Sequence, residues 1–297
     1  MTVTTDSVGV EKKITVVIPA YQEAKVIGQV VTKTLEVLAA FPQAEVLVVD
    51  DASTDDTGRI AEQAGARVIR HPYNKGNGAA IKTGIRAAQG DVIVFMDGDG
   101  QHDPADIPRL VEPIGVYDMV IGARSPRSYH DVGRKNANRA YNVLASYICG
   151  AAVLDLTSGF RAVRADLARK FCHLLPNTFS YPSTMTIVMF KAGYNVKFVP
   201  IEVGRRVGQS KINIIRDGFR FLTIIFKVAV LFEPLKVFLP IGIVMLLPGL
   251  VLGFEKLVTG RSWTIAVTAS LSIGALIIVL GLISEQIAML RTVQFDR

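Results

Sequence analysis

Two carboxylates, Asp97 and Asp99, stand two residues apart at the end of the apolar run Asp91-Val92-Ile93-Val94-Phe95-Met96. In extended chain, residues i and i+2 point to the same side. Like charges so placed repel unless a cation lies between them, and hard carboxylate oxygens suit Mg2+ or Mn2+. The run is rich in β-branched residues and reads as a buried strand. A metal at the carboxyl end of a parallel strand is where α/β sheets bind ligands. Gln101 offers a further oxygen, and His102 is expected to hydrogen bond structurally rather than to ligate. An EF-hand is excluded, because the loop spacing and the late glutamate are missing.

Other strand ends carry chemistry too. Pro19-Ala20-Tyr21-Gln22-Glu23 places an aromatic ring and a carboxylate where a base and ribose can lie; a turn with an acid at a helix start is the plainer reading. Asp50-Asp51, followed by Ser53 and Asp55, suits ribose or base recognition. Helix capping accounts for Ser53 and is open for Asp55. Asn74-Lys75-Gly76-Asn77-Gly78-Ala79-Ala80 has the look of a phosphate loop but fails both GxxxxGK[ST] and GxGxxG, so a turn into a helix fits equally. Arg124, then Arg134, Lys135 and Arg139, then Arg205, Arg206 and Lys211 supply cations that bind phosphate, the guanidinium groups in two-pronged fashion, or simply a solvated surface.

The elements that must position these residues alternate. Strands are expected at Ile14–Ile18, Glu45–Val49, Arg67–Ile69 and 91–96, with helices over 24–41, 57–64 and 77–88 between them. This βαβα order implies parallel strands with right-handed crossovers, a Rossmann-like half. Beyond Asp99 the pattern loosens: helices over 105–114 and 134–148, and strands over 118–121, 160–163 and 196–199.

The chain has 297 residues, half of them apolar, and a net charge of +7. The apolar excess gathers in two uncharged stretches, 237–254 and 262–284, read as a transmembrane hairpin with spans 237–257 and 263–284. Before it, residues 212–236 place Arg216, Arg220 and Lys227 on one helical face, as in a helix lying in the membrane interface. Positive residues gather outside the short connection, so the catalytic domain and both termini are expected in the cytoplasm. Residues 1–12 read as a disordered tail, 13–211 as the catalytic domain, and 286–297 as a cytoplasmic tail. The basic balance suits anionic lipid and anionic substrates; no nucleic-acid motif is present. Cys149 and Cys172 read as reduced packing residues. A two-helix hairpin also offers a surface for packing against copies of itself, a possible homo-oligomer.

Taken in order, Pro-x-Tyr-x-Glu, Asp-Asp-x-Ser-x-Asp, Asn-x-Gly-x-Gly-Ala-Ala, Asp-x-Asp-x-Gln-His, Asp155-x-x-Ser158-Gly159-Phe160-Arg161 and Arg-x-x-Gly-x-Ser-Lys resemble an inverting family 2 glycosyltransferase of the polyprenyl (dolichyl) phosphate sugar synthase type. The resemblance covers roughly residues 13 to 215. It implies a GT-A fold (α/β, Rossmann-like, mainly parallel) that takes a nucleotide sugar donor and Mg2+ or Mn2+. By the family's motifs, Pro19, Tyr21, Glu23, Val49 and Asp51 hold the nucleoside, and Gly98 belongs to the nucleotide-sugar site. Asp97, Asp99 and Gln101 hold metal and diphosphate. Arg124 and Arg139 meet the lipid phosphate, and Arg205, Arg206 and Lys211 the diphosphate or the donor-loop contacts. Gly98 and Gly100 stand where bulkier residues are common, and residues 179–186 lack the carboxylates of many mannosyl members. Processive polysaccharide synthases are excluded, because Gln-x-x-Arg-Trp is missing and Trp263 in the hairpin is the one tryptophan.

The implied reaction moves a sugar to a polyprenyl phosphate. A phosphate acceptor is anionic at neutral pH and needs no general base, whereas a hydroxyl does. Asp155 would be that base for a hydroxyl acceptor; here it is assigned an orienting role beside the catalytic Asp97, Asp99 and Arg124.

Overall fold

The computed structural model describes residues 12–125, 132–177, 180–204 and 232–295, with single positions at 223, 226, 229 and 230. The expected tail (apart from Lys12), Arg205, Arg206, Lys211 and most of the expected interface helix lie outside the described residues. The chain divides into two compact units, Met1–Val143 with Ala151–Ile214, and Leu144–Gly150 with Ile215–Arg297.

In the first unit the described strands are β1 (Ile14–Ala20), β2 (Ala44–Asp50), β3 (Arg67–Arg70), β4 (Val92–Phe95), β5 (Met119–Arg124), β6 (Arg161–Arg164) and β7 (Val196–Ile201). They form one sheet in the order β3-β2-β1-β4-β6-β5-β7. Helices α1 (Ile27–Leu38), α2 (Thr57–Gln63) and α3 (Asn77–Ala87) connect β1 through β4, the parallel half that the alternating pattern implies. Then come α4 (Ile107–Val111), α5 (Val132–Cys149), α6 (Ala165–Phe171) and α7 (Tyr181–Lys191).

Burial explains the elements. Val92, Ile93, Val94 and Phe95 are enclosed on both faces of β4, as an unbroken apolar run requires. Helix α1 buries Ile27, Val30, Val31, Thr34 and Leu38, the stripe its spacing predicts. Each of the aliphatic side chains among them contributes roughly 1.5–3 kcal/mol. Helix α3 lies so close to β1 that a Cβ at Gly84 would fall 2.2 Å from Val17 Cγ1.

Strand β6 runs antiparallel to both its neighbours, β4 and β5. Its entry loop, residues 155–160, therefore arrives at the same sheet edge as the exits of β4 and β5. This reversal gathers the acids and the arginines.

The second unit carries α8 (Pro234–Val258) and α9 (Ile265–Phe295). Both are long and apolar enough to cross a membrane. They pack through small residues: a Cβ at Gly242 would lie 3.1 Å from Gly274 O, and one at Gly249 would lie 2.9 Å from Leu271 Cγ. Pro240 and Pro248 sit inside α8 without ending it. Helix α9 continues to Phe295, past the expected end at 284, so most of the expected tail 286–297 is helical.

Candidate active site

The ends of β1 and β2 are sewn together by side chains. Ser53 Oγ accepts from Gln22 N (2.9 Å), Thr57 Oγ1 from Glu23 N (2.8 Å), and Asp55 Oδ2 from Ala24 N (3.3 Å). Ser53 therefore clasps two loops and does not cap α2, whose N-cap is Asp56. Gln22 (φ 57°) and Ala52 (φ 62°) both adopt the left-handed region, a strain seen where loops shape a site.

Asp51 is turned inward. Its Oδ1 meets His71 Nδ1 (2.6 Å) and accepts from Lys75 N (2.9 Å); its Oδ2 accepts from Gly76 N (2.8 Å). His71 Nε2 reaches Thr83 Oγ1 at 2.9 Å. This carboxylate shapes residues 71–76, and the amides of Lys75 and Gly76 that a phosphate loop would present are given to it. Pro19 and Val49 pair across β1 and β2 and are both buried. Tyr21 is exposed and Glu23 half-buried, so these two side chains are accessible.

Asp97 and Asp99 follow β4 as the spacing predicts. Asp97 is 38% exposed at its side chain, whereas Asp99 is buried and its Oδ1 accepts from Gln101 N (3.1 Å). Gln101 Nε2 donates to Gly204 O (3.2 Å), and Gly204 N returns a bond to Gln101 O (2.9 Å). Gly98 is a packing residue: a Cβ there would lie 3.2 Å from Ile18 Cγ2 and 3.3 Å from Pro19 O. His102 stacks on Phe160 with ring centroids 5.0 Å apart. Its buried Nδ1 makes no hydrogen bond and stands 3.9 Å from Asp97 Oδ2. Burial pulls its pKa down to about 4, so the imidazole is neutral at pH 7.

Arg124 ends β5 and meets Asp155 in two-pronged fashion, Nε to Oδ2 at 2.8 Å and Nη2 to Oδ1 at 2.7 Å. The Arg124 amide and the Thr157 amide also donate to Asp155. Burial alone would raise the Asp155 pKa, but these bonds outweigh it and hold the carboxyl below its ordinary range. Arg139 lies exposed on α5.

Sequence reasoning gave no role to Arg161. Its guanidinium is wholly enclosed, donating to Pro182 O (2.9 Å), Thr186 Oγ1 (3.0 Å) and Ser158 O. Burial lowers its pKa to about 10, which leaves it charged at pH 7. The β4–β6 register pairs Phe95 with Arg161 and, continued two residues, Asp97 with Gly159. A Cβ at Gly159 would lie 2.9 Å from Asp97 Oδ2. The sole sequence signal was the position of Arg161 three residues after Ser158 in a motif.

Among the described residues no three His, Cys, Asp or Glu side chains cluster to enclose a cation. The donor set nonetheless fits Mg2+ or Mn2+, which bind through one or two carboxylates and complete their shell with substrate phosphates and water. Gly159 leaves the accessible Asp97 carboxylate its room.

A mainly parallel Rossmann-like sheet with an acid pair at the exit of its fourth strand, followed by an apolar hairpin, defines a membrane-type sugar transferase of GT-A architecture. The chain belongs to glycosyl transferase family 2: that family's model matches residues 15–172, and the GtrB C-terminal hairpin model matches residues 233–290. It is 32% identical to an undecaprenyl-phosphate mannosyltransferase of Micrococcus luteus over 68% of this chain and 88% of that one. It is 29% identical to an undecaprenyl-phosphate 4-deoxy-4-formamido-L-arabinose transferase of Klebsiella pneumoniae over 93% of this chain and 88% of that one. Among solved structures, glucosyl-3-phosphoglycerate synthase from Mycobacterium tuberculosis, in complex with Mn2+, uridine diphosphate and glucosyl-3-phosphoglycerate, matches with a TM-score of 0.61 at 24% identity, covering 73% of this chain and 80% of that one.

Proposed function

We propose that this chain moves a sugar from a nucleotide diphosphate sugar (UDP-glucose, UDP-GlcNAc or GDP-mannose) to a polyprenyl phosphate, undecaprenyl or dolichyl, with inversion, at a membrane that its hairpin anchors. The relatives named above act on undecaprenyl phosphate, which supports the acceptor class. The observation that carries the reading is the Arg124–Asp155 pair. Asp155 accepts two guanidinium bonds and two amide bonds and is held ionised, so it makes a poor general base. An acceptor that is already anionic needs none.

Arg124 would orient the acceptor phosphate, and Asp155 would fix the guanidinium for that task. Asp97, Asp99 and Gln101 would hold the divalent ion, which when bound neutralises the leaving diphosphate. A manganese-bound neighbour of the same fold supports that assignment. Tyr21 and Glu23 would face the nucleoside, and Arg205, Arg206 and Lys211 the diphosphate. Lys236 and the basic residues before it, against Lys256 and Arg261 in the connection, support a catalytic domain and both termini on the cytoplasmic side.

The test incubates membranes bearing the protein with labelled nucleotide sugars and either undecaprenyl phosphate or undecaprenol. Organic-extractable label with the phosphate alone is expected, and the donor that gives it identifies the sugar. Transfer to the free alcohol would overturn the reading in favour of a hydroxyl acceptor.

A further inference from the structure

The side-chain amide of Asn142 on α5 brackets Asp155 from both flanks. Its Nδ2 donates to Leu154 O (2.6 Å) and its Oδ1 accepts from Leu156 N (3.0 Å). The loop that fixes Arg124 is thus tied to α5 at Asn142, three residues after the exposed Arg139. On either side of that tie stands a large apolar side chain in water: Val143 is 64% exposed and Leu154 61% exposed. Val143 lies one helical turn beyond Arg139, on the same face of α5.

Single exposed aliphatics are ordinary on a protein surface. Here Leu154 directly precedes Asp155, the partner of Arg124, and Val143 lies one turn beyond Arg139, so each oily side chain is paired in the chain with a cationic group. A free phosphate, a nucleotide or a sugar would gain nothing from the oily half. A phosphate esterified to a hydrocarbon chain would use both.

Resting on the phosphate-acceptor reading above, we propose that Val143 and Leu154 seat the first isoprene units of the acceptor, directly behind a phosphate held by Arg124 and Arg139, and that Asn142 sets the spacing between the two halves. The seat is chain-selective: it favours a prenyl phosphate over its headgroup alone. Bilayer acyl chains are the competing occupant, and they would give no dependence on the length of the acceptor.

The experiment uses the full-length protein in detergent with the donor it accepts, and compares kcat/KM for dimethylallyl, geranyl and farnesyl phosphate. Wild type is expected to gain with each added isoprene unit. The double variant V143S/L154S should lose about tenfold in the farnesyl-to-dimethylallyl ratio, the scale of losing partial burial of two aliphatic side chains. Because both positions are exposed, its thermal melting should match wild type. V116S, at the opposite end of β5 and 77% exposed, should leave the ratio unchanged. An unaltered ratio in the double variant overturns the seat, and so does an equal loss with all three acceptors, which would assign these residues to the membrane surface. Should wild type use no prenyl phosphate of any length, the acceptor reading itself falls, a result separable from either of the others.

Discussion

Arg124 and Asp155 face each other in a two-pronged ion pair, closed at 2.8 Å and 2.7 Å, across the gap between the end of β5 and the loop entering β6. The pair exists because β6 runs antiparallel and delivers residue 155 to the edge where β5 ends. Asp155 is 7% and Arg124 27% exposed at the side chain, so guanidinium and carboxylate reinforce each other out of bulk water while one flank of the arginine stays accessible. Aspartate here is a holder of arginine before it is anything else.

Replacing Asp155 with Asn separates that role from base catalysis. Asn keeps one acceptor oxygen but removes the charge that fixes Arg124. Breaking a buried pair costs about 3–5 kcal/mol, and the accessible quarter of Arg124 brings the expected loss to roughly 2–3 kcal/mol. Sugar transfer should fall about tenfold, chiefly through a higher KM for the acceptor. Loss of all activity in a folded D155N protein would point to a general base and a hydroxyl acceptor. Steady-state kinetics with thermal melting on the same preparation reads both.

The same pair makes stability depend on pH. The Asp155 pKa is depressed in the folded state, so its stabilising contribution is fully present above the ordinary carboxylate range, about pH 4. It is lost as the pH falls through the lower folded value. Glu45, bonded to Arg67 at 2.8 Å and 3.0 Å, is shifted the same way: partial burial alone would raise its pKa, but Arg67, Thr15 and the Gln89 amide outweigh that. Urea denaturation from pH 7 down to pH 3 should show declining stability below about pH 4.5. D155N should show a shallower decline than wild type; equal slopes would remove Asp155 from the account.

The acid pair after β4 makes a metal prediction. Asp99→Ala should abolish transfer in a protein that still unfolds cooperatively, the local acceptance from Gln101 N being lost with the carboxylate. Chelation of wild type with EDTA should do the same, with recovery on adding Mn2+ or Mg2+. Mn2+ binding, read by electron paramagnetic resonance with the nucleoside diphosphate present, should weaken at least tenfold in D99A. Wild-type binding in D99A would dismiss the assignment.

Much of this was legible in the chain, and the limits have physical causes. Strand β4 and its acids could be read because an unbroken apolar run ends abruptly in charge. The hairpin could be read because hydrocarbon permits so few alternatives. Ser53 was misread, because Ser-x-x-Asp has the spacing of a helix cap and the competing partner, Gln22 N, lies 31 residues away in sequence. The partners of Asp51 were hidden for the same reason, its bonds being made to residues 71–76. Helix α7 gave no periodic signal, since Tyr181 to Met189 are buried on every side and no polar face remains to mark a turn. With α7 unseen, the enclosed Arg161 that bonds to Pro182 O and Thr186 had no visible partners.

Gly159 supplies the sharpest test of how the β6 entry loop serves the acids. Ala at 159 would set a methyl group 2.9 Å from Asp97 Oδ2 and 3.3 Å from Asp97 Oδ1, closer than such atoms normally approach, so the carboxylate must turn. It has somewhere to go, because its side chain is 38% exposed. The cost to stability should therefore sit at the low end for overpacking, about 1 kcal/mol. The cost to function should be larger if, as proposed, Asp97 helps to hold the divalent ion, because positioning there tolerates little displacement; a tenfold or greater fall in kcat with weakened Mn2+ binding is expected. Gly204→Ala is the control, its added Cβ meeting Gln101 O at an ordinary 3.6 Å. If G159A binds Mn2+ and turns over like G204A, Asp97 is not held by the antiparallel strand, and the convergence of β4 and β6 on one catalytic edge loses its function.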